Sequence, residues 1–143
     1  MTRLRVLLSE ASSLTAREHL TVLGTAGVRV EAMSSDRFAL CRWSRWTRRL
    51  HRCSASGTDP AGYLQAVSAL LAGGGFDALL PTHEQAWLFA VARDRLPPAA
   101  PVTLAPAEAF ARVHSKAAFA FAVALAARRS WFCYQQLFAV PPR

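Results

Sequence analysis

The sequence predicts an α/β domain with a short, mostly parallel sheet of about five strands. Three observations support this fold class. Short aliphatic segments such as Leu4–Leu8 and Ala78–Leu80 have the composition of central parallel strands. Segments with helix-capping residues and apolar stripes stand between them. A strand, a helix and a second strand in that order imply a right-handed crossover, and therefore a parallel pair.

The first three elements form one such unit. Leu4–Leu8 is the first strand, and Thr15 with Glu18 has the spacing of a capping box that would begin the following helix. Gly27 fits the left-handed position that ends a helix. Val28–Met33 alternates as a half-covered strand does, so we expect it to pair with the first strand.

The middle of the chain repeats the pattern. Arg48–Cys53 is predicted as a short third strand. Asp59 followed by Pro60 is a strong signal for a helix start. Gly73–Gly75 ends that helix. This glycine triplet precedes a strand, whereas a phosphate-binding loop follows one, so we interpret it as a connector.

The next strand, Asp77–Pro81, leads through a polar loop into a helix. Thr82 and Gln85 have the spacing of a second capping box. Val102–Leu104 is predicted as the fifth strand, and Pro106 begins a short helix. Together these elements predict a three-layer, Rossmann-like domain over residues 1–114.

The C-terminal part is predicted as a helix over residues 115–127 and an irregular tail over residues 128–143. The helix is apolar nearly all round, with Val123 and Leu125 among its apolar positions. Such a helix requires cover. We therefore expect an exposed apolar patch and self-association through this helix.

The composition restricts the class of protein. The chain has 143 residues, 52% of them hydrophobic, which suits one domain with a real core. No apolar run is long enough to cross a bilayer, and the first one is stopped by Glu10, so a cytoplasmic protein without a membrane partner is expected. The three cysteines, Cys41, Cys53 and Cys133, lack the spacing of a metal site or a disulfide framework, so idle thiols are expected.

The net charge of +8 and the pI of about 11.0 raise the possibility of nucleic-acid binding. Much of the excess lies in one arginine-rich segment with two tryptophans that could stack on bases: Arg42, Trp43, Arg45, Trp46, Arg48, Arg49 and Arg52. Against this, arginine replaces lysine nearly everywhere, with Lys116 as the single lysine. That pattern indicates a general preference for arginine over lysine in the encoding genome, with these arginines on a solvated surface. A nucleic-acid partner is therefore the alternative interpretation.

A ligand site is expected at the loop that follows Asp77–Pro81. α/β sheets bind ligands where a strand ends and a helix begins. His83 could act there as an acid or a base, or have no role. Asp36 stands where a dinucleotide fold holds a ribose, but the first loop lacks the glycine fingerprint, so Asp36 is expected to be a cap.

The order of elements resembles a known family. The segments LRVLL, VRVEAM, a loop with an aspartate, Ser44–Arg45, a short strand, DALLP, VTLAP and then Ser115–Lys116 opening a helix follow one another as in the pre-ATP-grasp domain of ATP-grasp ligases. The branch that includes carboxylate–amine ligases and carbamoyl-phosphate-synthase-like proteins is the most similar. The resemblance covers about Leu4 to Leu125.

The resemblance implies roles for several residues. Pro81 to Glu84 is similar to the family's Pro-x-x-Glu/Asp loop, which implies substrate binding by Thr82, His83 and Glu84, although Glu84 could equally be a first-turn helix acid. Ser9 and Glu10 match the family's loop after the first strand. Lys116 matches a lysine that reaches the nucleotide phosphates in many relatives, or it is a surface lysine.

The family's catalytic half has no counterpart in this pattern. In full-length relatives, the ATP-grasp fold binds ATP and Mg²⁺, an acyl phosphate forms, and an amine displaces the phosphate. The chain has nine acidic residues and no late pair that resembles the Mg²⁺ ligands. We therefore expect no catalytic or metal-binding residue, no tight cofactor binding by this chain alone, and a separate ATP-grasp half as its partner, with a truncated or frameshifted gene as one explanation.

Overall fold

The computed structural model describes residues 3–98, 101–102, 104–117, 120 and 123–126. The chain divides into two compact units, residues 1–104 and residues 105–143. The sheet belongs entirely to the first unit. None of the helices in the described part of the chain combines the length and the apolar run that crossing a bilayer requires.

The sheet has four parallel strands, which confirms the predicted fold class. They are β1 (Arg5–Leu8), β2 (Arg29–Ser34), β3 (Thr47–Arg52) and β4 (Ala78–Leu80). Their order across the sheet is β3-β2-β1-β4. β1 therefore pairs in parallel with β2 on one side and with β4 on the other.

The predicted fifth strand falls partly outside the described residues, because Thr103 is not among them. The neighbouring backbone is informative. The N–H of Leu79 donates a hydrogen bond of 2.8 Å to the carbonyl of Pro101. The chain thus runs beside β4 at the edge where a fifth strand would pair.

The described residues of the first unit form three α-helices: α1 (Leu14–Thr25), α2 (Pro60–Ala72) and α3 (Gln85–Val91). Short 3₁₀ turns also occur in the described residues, with Leu40–Trp43 between β2 and β3 and Arg93–Arg95 after α3.

The ends of α1 show where local sequence patterns succeed and fail. The predicted Thr15–Glu18 capping box was wrong, because Ser13 caps the helix by accepting a bond of 3.0 Å from the N–H of Ala16. Thr15 therefore lies inside the first turn. The predicted end of α1 was confirmed, since Gly27 adopts a φ of 80° just after the helix.

The start of α2 was predicted correctly. The carboxylate of Asp59 accepts a bond of 2.9 Å from the N–H of Gly62, and Pro60 is the first helical residue. The helix ends at the predicted glycines, of which Gly74 and Gly75 have positive φ.

Alternation along the strands divides the core into two layers. Leu7 and Leu79 face a cluster with α2 and α3, in which Phe89 and Val67 are fully buried. Leu8 faces a second cluster on the α1 side of the sheet. Since buried side chains lie on both faces, the unit is a three-layer α/β domain in which both faces of β1 are covered.

The second unit contains helix α4 (Ala107–His114), which begins after Pro106 as predicted. Residues 116, 117, 120 and 123–126 are also helical, as the C-terminal prediction requires. Val123 and Leu125 are exposed. The predicted irregular tail and Cys133 lie outside the described residues.

Replacing Gly27 by alanine should lower the free energy of unfolding by about 1 kcal/mol, because an L-residue is strained at that φ. A Cβ there would meet nothing within 4 Å, so the loss would come from the backbone alone. The measurement is urea unfolding followed by circular dichroism.

Gly57→Ala is the matched control. It also has free space for a Cβ, and its φ lies outside the left-handed region. Its stability should stay unchanged or rise by up to about 1 kcal/mol. Equal losses in the two variants would contradict the argument from φ.

Candidate functional site

The carboxyl edge of the sheet contains the point where the strand order reverses. From β1 the chain adds β2 and β3 on one side, and it then returns to place β4 on the other side. The loops that follow β1 and β4 therefore leave in different directions, and the crevice between them is the usual ligand position of an open α/β sheet.

Ser9 connects the two strands that border this crevice. Its N–H donates to the carbonyl of Leu80 at 3.0 Å, and its hydroxyl accepts from the N–H of Thr82 at 2.9 Å. The hydroxyls of Ser9 and Thr82 lie 3.3 Å apart. Both residues are buried. In this structure they hold the ends of β1 and β4 together.

Tyr63 extends this network to α2. Its hydroxyl donates a hydrogen bond of 2.8 Å to the carbonyl of Ser9, and its ring stacks on Phe89 with centroids 5.9 Å apart. Burial raises the pKa of Tyr63 above its usual value, so the phenol keeps its proton as a donor.

The carboxylate of Glu10 accepts hydrogen bonds from backbone N–H groups at the start of α1. Its carboxylate accepts from the N–H groups of Ser12 and Ser13, the latter at 3.1 Å to each oxygen. These are donors that a bound phosphate would otherwise use at a helix N-terminus. The carboxylate thus occupies the position at which many folds of this class bind a phosphate.

The loop after β4 differs from its predicted local structure. The Thr82–Gln85 capping box was wrong. The N–H of Gln85 donates to the backbone carbonyl of Thr82 at 3.2 Å, while the Thr82 hydroxyl is bound to Ser9. His83 has a φ of 48° and is exposed, as is Glu84. Both side chains are therefore accessible to a ligand outside the crevice.

A small polar crevice lies at the carboxyl ends of β1, β2 and β3, with a cavity volume of about 50 Å³, and Gln85 of α3 also lines it. Since one water needs about 10–15 Å³ of such volume, it holds about four waters or one small polar group. Six serines line it, together with Glu10, Tyr63 and Gln85: Ser9, Ser12, Ser34, Ser35, Ser54 and Ser56. Of these serines only Ser9 was predicted as a site residue, and Ser12, Ser34, Ser35, Ser54 and Ser56 were not.

Gln85 supplies the one buried polar side-chain atom of the crevice that lacks a partner among the described residues. Its Nε2 donates to the hydroxyl of Ser56 at 3.3 Å, whereas its Oε1 is buried without a hydrogen bond. A buried acceptor in this state favours a ligand that brings a donor.

The two cysteines in the described part of the chain are not activated. Burial raises the pKa of Cys41 to about 11, and it also raises the pKa of Cys53, which lines the crevice. Both thiols therefore stay protonated near neutral pH. A cysteine nucleophile reacts as the thiolate, so neither thiol is suited to that role.

A buried charged cluster on the α2 side of the sheet was missed by the sequence analysis. Glu31 of β2 accepts from Arg5 of β1 at 2.8 Å and lies 2.7 Å from Nε2 of His51 in β3. The signal for it is indirect. Alternation places Glu31 on the face opposite Val30 and Ala32, and an acid there in a strand covered on both faces requires a basic partner on a neighbouring strand.

The partners of Glu31 determine its ionisation. Burial alone would raise its pKa, but the hydrogen bonds from Arg5 and His51 outweigh burial, so the pKa lies below the ordinary value of 4.5. Glu31 is therefore an anion at neutral pH.

The arginine-rich segment is split by the structure. Trp43 is 76% exposed, with the Arg42 guanidinium 5.8 Å from its ring centroid. Trp46 packs on α1 at Gly24, where an added Cβ would lie 2.5 Å from the indole, and the guanidinium of Arg45 stacks 4.6 Å from its ring centroid. With the indole in contact with both, a base has little room to stack on Trp46.

Two further predicted residues can be located. Asp36 caps a local turn, accepting from the N–H of Phe38 at 2.8 Å, as expected. Lys116 is exposed and lies in the second unit. Within the described residues no group of three His, Cys, Asp or Glu side chains is arranged to hold a metal ion.

No protein-family model matches this sequence, and no curated protein matches it. Inference about its function therefore depends on the geometry and on the order of its elements.

Replacing Glu31 by glutamine should lower the free energy of unfolding by about 2 kcal/mol at pH 7, because two bonds to a charged acceptor are weakened. Folding lowers the pKa of Glu31, so its stabilisation is present above pH 4.5 and is lost as the pH falls through the folded pKa. The difference between the two proteins should therefore shrink from pH 5 to pH 3 in urea unfolding.

Glu18→Gln is the control for this series, since Glu18 is an exposed acid on α1. Its effect should be small at every pH. A difference for Glu31→Gln that stays constant down to pH 3 would contradict the assigned role of the carboxylate.

Proposed function

We propose that this chain is the substrate-side, pre-ATP-grasp domain of an ATP-dependent carboxylate–amine ligase that works in the cytoplasm. The observation that carries this proposal is the serine-lined crevice at the carboxyl edge, with the buried Oε1 of Gln85 lacking a partner among the described residues. The topology supports it, because the crevice is lined from the carboxyl ends of β1, β2 and β3 and by Gln85 of α3, at the edge where open α/β sheets bind ligands.

The chemistry of the crevice favours the amine substrate. Its charged lining residue is Glu10, and its buried unpaired atom is an acceptor. The N–H groups at the start of α1 are already used by the Glu10 carboxylate, so they offer little to a phosphate or a carboxylate. An ammonium group brings donors and a positive charge, and it fits a volume of about 50 Å³.

We assign the remaining steps to an ATP-grasp fold. In the ligases that the chain resembles, ATP and Mg²⁺ are bound by the ATP-grasp fold, which activates the carboxylate as an acyl phosphate. We assign to this chain the binding of the amine and to Lys116 a contact with the nucleotide phosphates once that fold is present. His83 and Glu84 are exposed on the loop that precedes Gln85, and we assign to them contacts with the rest of the substrate.

The crevice is tested by titrating the isotopically labelled protein with L-alanine, ethylamine and propionate, and by following amide signals of Ser12, Ser56 and Gln85. The two amines should shift these signals at millimolar concentration, and propionate should not. Gln85→Leu should weaken amine binding about fivefold, the equivalent of one hydrogen bond of about 1 kcal/mol.

Gln65→Leu is the matched control, because Gln65 is an exposed glutamine on α2. It should bind the amines as the unchanged protein does. Equal shifts by propionate, or equal loss of binding in both leucine variants, would overturn the assignment of the amine site.

Mg²⁺-ATP should leave the thermal midpoint of the isolated chain unchanged, because the proposal assigns the nucleotide site to a partner fold. A site on this chain at 100 times its Kd would add about 2.7 kcal/mol, which shifts the midpoint by several degrees. A rise that Lys116→Ala abolishes and Arg112→Ala, an exposed cation of the same unit, retains would contradict the proposed division of roles.

A further inference from the structure

The amino edge of the sheet has an open groove with a volume of about 660 Å³. It lies at the opposite ends of the strands from the serine crevice: Arg3 precedes β1, Arg29 begins β2 and Arg48 is near the start of β3. We call it the arginine groove, and its lining includes Arg3, Arg29, Arg45, Arg48, Trp46 and Gly24.

Backbone structure brings these arginines together from distant parts of the sequence. The N–H of Arg29 donates to the carbonyl of Leu4 at 2.8 Å, which joins the starts of β1 and β2. In β3, Thr47 pairs with Val30 and Arg49 with Glu31, so Arg48 is the extra residue of a β-bulge. A bulge re-aims a side chain, and it accounts for Arg48 facing the groove.

The groove contains four positive charges and no carboxylate in its lining. The salt bridges in the described part of the chain both involve Glu31, with Arg5 and His51, and none involves a groove arginine. The carbonyl end of α1 lies at the groove through Gly24 and Thr25, but a helix dipole supplies only about half a negative charge. Most of the positive charge is therefore left for solution anions.

The occupant should be an extended chain of phosphates. A small-molecule pocket buries most of its ligand, whereas this groove is open and its four arginines are exposed. Arginine forms paired hydrogen bonds with phosphate oxygens. The indole of Trp46 is already in contact with Gly24 and Arg45, so the groove has no free aromatic face for reading or stacking bases.

We propose that the arginine groove binds the phosphate backbone of a nucleic acid without preference for base sequence. This role is independent of the amine site at the other edge. It differs from the interpretation of the sequence alone, because Arg3 and Arg29 enter the site while Trp46 serves as packing.

The test is fluorescence anisotropy of a labelled 20-nucleotide single strand with the full chain, at salt concentrations from 50 to 300 mM. Four phosphate contacts predict a slope of about −3 in log K against log salt. The double variant Arg29→Gln with Arg48→Gln should reduce the slope to about −1.4 and weaken binding roughly 25-fold at 0.1 M salt. A second strand of unrelated sequence should bind equally well.

The matched control is Arg17→Gln with Arg95→Gln, which removes the same charge from exposed positions outside the groove. This control variant should keep most of the slope of log K against log salt. If the first double variant fails to fold, as judged by circular dichroism, the double variant Arg3→Gln with Arg45→Gln takes its place.

Equal losses in the groove and control variants would overturn the proposal, because binding would then follow net charge alone. Tripolyphosphate that displaces the strand at an equal phosphate concentration would also overturn it, in favour of a small polyphosphate ligand. If the labelled strand does not bind at 50 mM salt, the proposal is also overturned.

Discussion

The hydrogen bonds around Ser9 determine the arrangement of the carboxyl edge. The residue donates its N–H to β4, accepts the N–H of Thr82 at its hydroxyl and accepts the Tyr63 hydroxyl at its carbonyl. Three elements, β1, β4 and α2, are thereby fixed to one residue. Each buried polar group left unpaired would cost about 1–3 kcal/mol, so these contacts are mutually required. The crevice exists because its walls are held in this way.

The two edges of the sheet have opposite electrostatic character. At the carboxyl edge the chain satisfies its own helix start with Glu10, so the positive end of α1 is neutralised from within. At the amino edge four arginines face an open groove with no carboxylate in its lining. A phosphate would thus find less attraction at the edge where this fold class commonly binds one, and more at the edge where it commonly does not.

The sequence predicted the features that depend on neighbouring residues. The aliphatic strands, the Asp59–Pro60 start and the Gly27 end follow from local propensity, and the structure confirms them. The two capping boxes failed because a distant or competing partner was stronger. Ser13 caps α1 two residues earlier than expected, and the Thr82 hydroxyl is bound by Ser9, 73 residues away. A four-residue pattern contains no information about such partners.

The same limit applied to the charged residues. The arginine-rich run suggested a single surface, but its members separate: Arg42 and Trp43 do not line the groove, whereas Arg45 and Arg48 do. Arg3 and Arg29 join them only through strand register, which no single segment specifies. Sites formed by one loop were therefore accessible from the sequence, and sites formed across the sheet were not.

Strand register is itself fixed by the buried carboxylate. Glu31 alternates with Val30 and Ala32, which face the apolar α1 side, so a slip of one residue would bury the charge there without Arg5 or His51. Arg5 extends this constraint to β4. Its backbone N–H donates to the Asp77 carboxylate at 2.7 Å, and its guanidinium lies 4.7 Å from the centroid of the Phe76 ring.

Gly75 completes this arrangement, because a Cβ there would lie 2.3 Å from the Arg5 guanidinium. The glycine that ends the connector after α2 thus leaves room for the side chain that pairs with Glu31. Arg5 thus contacts both neighbours of β1, through Glu31 on one side and through Asp77 and Phe76 on the other, and the positions of the crevice and of the arginine groove depend on those two registers.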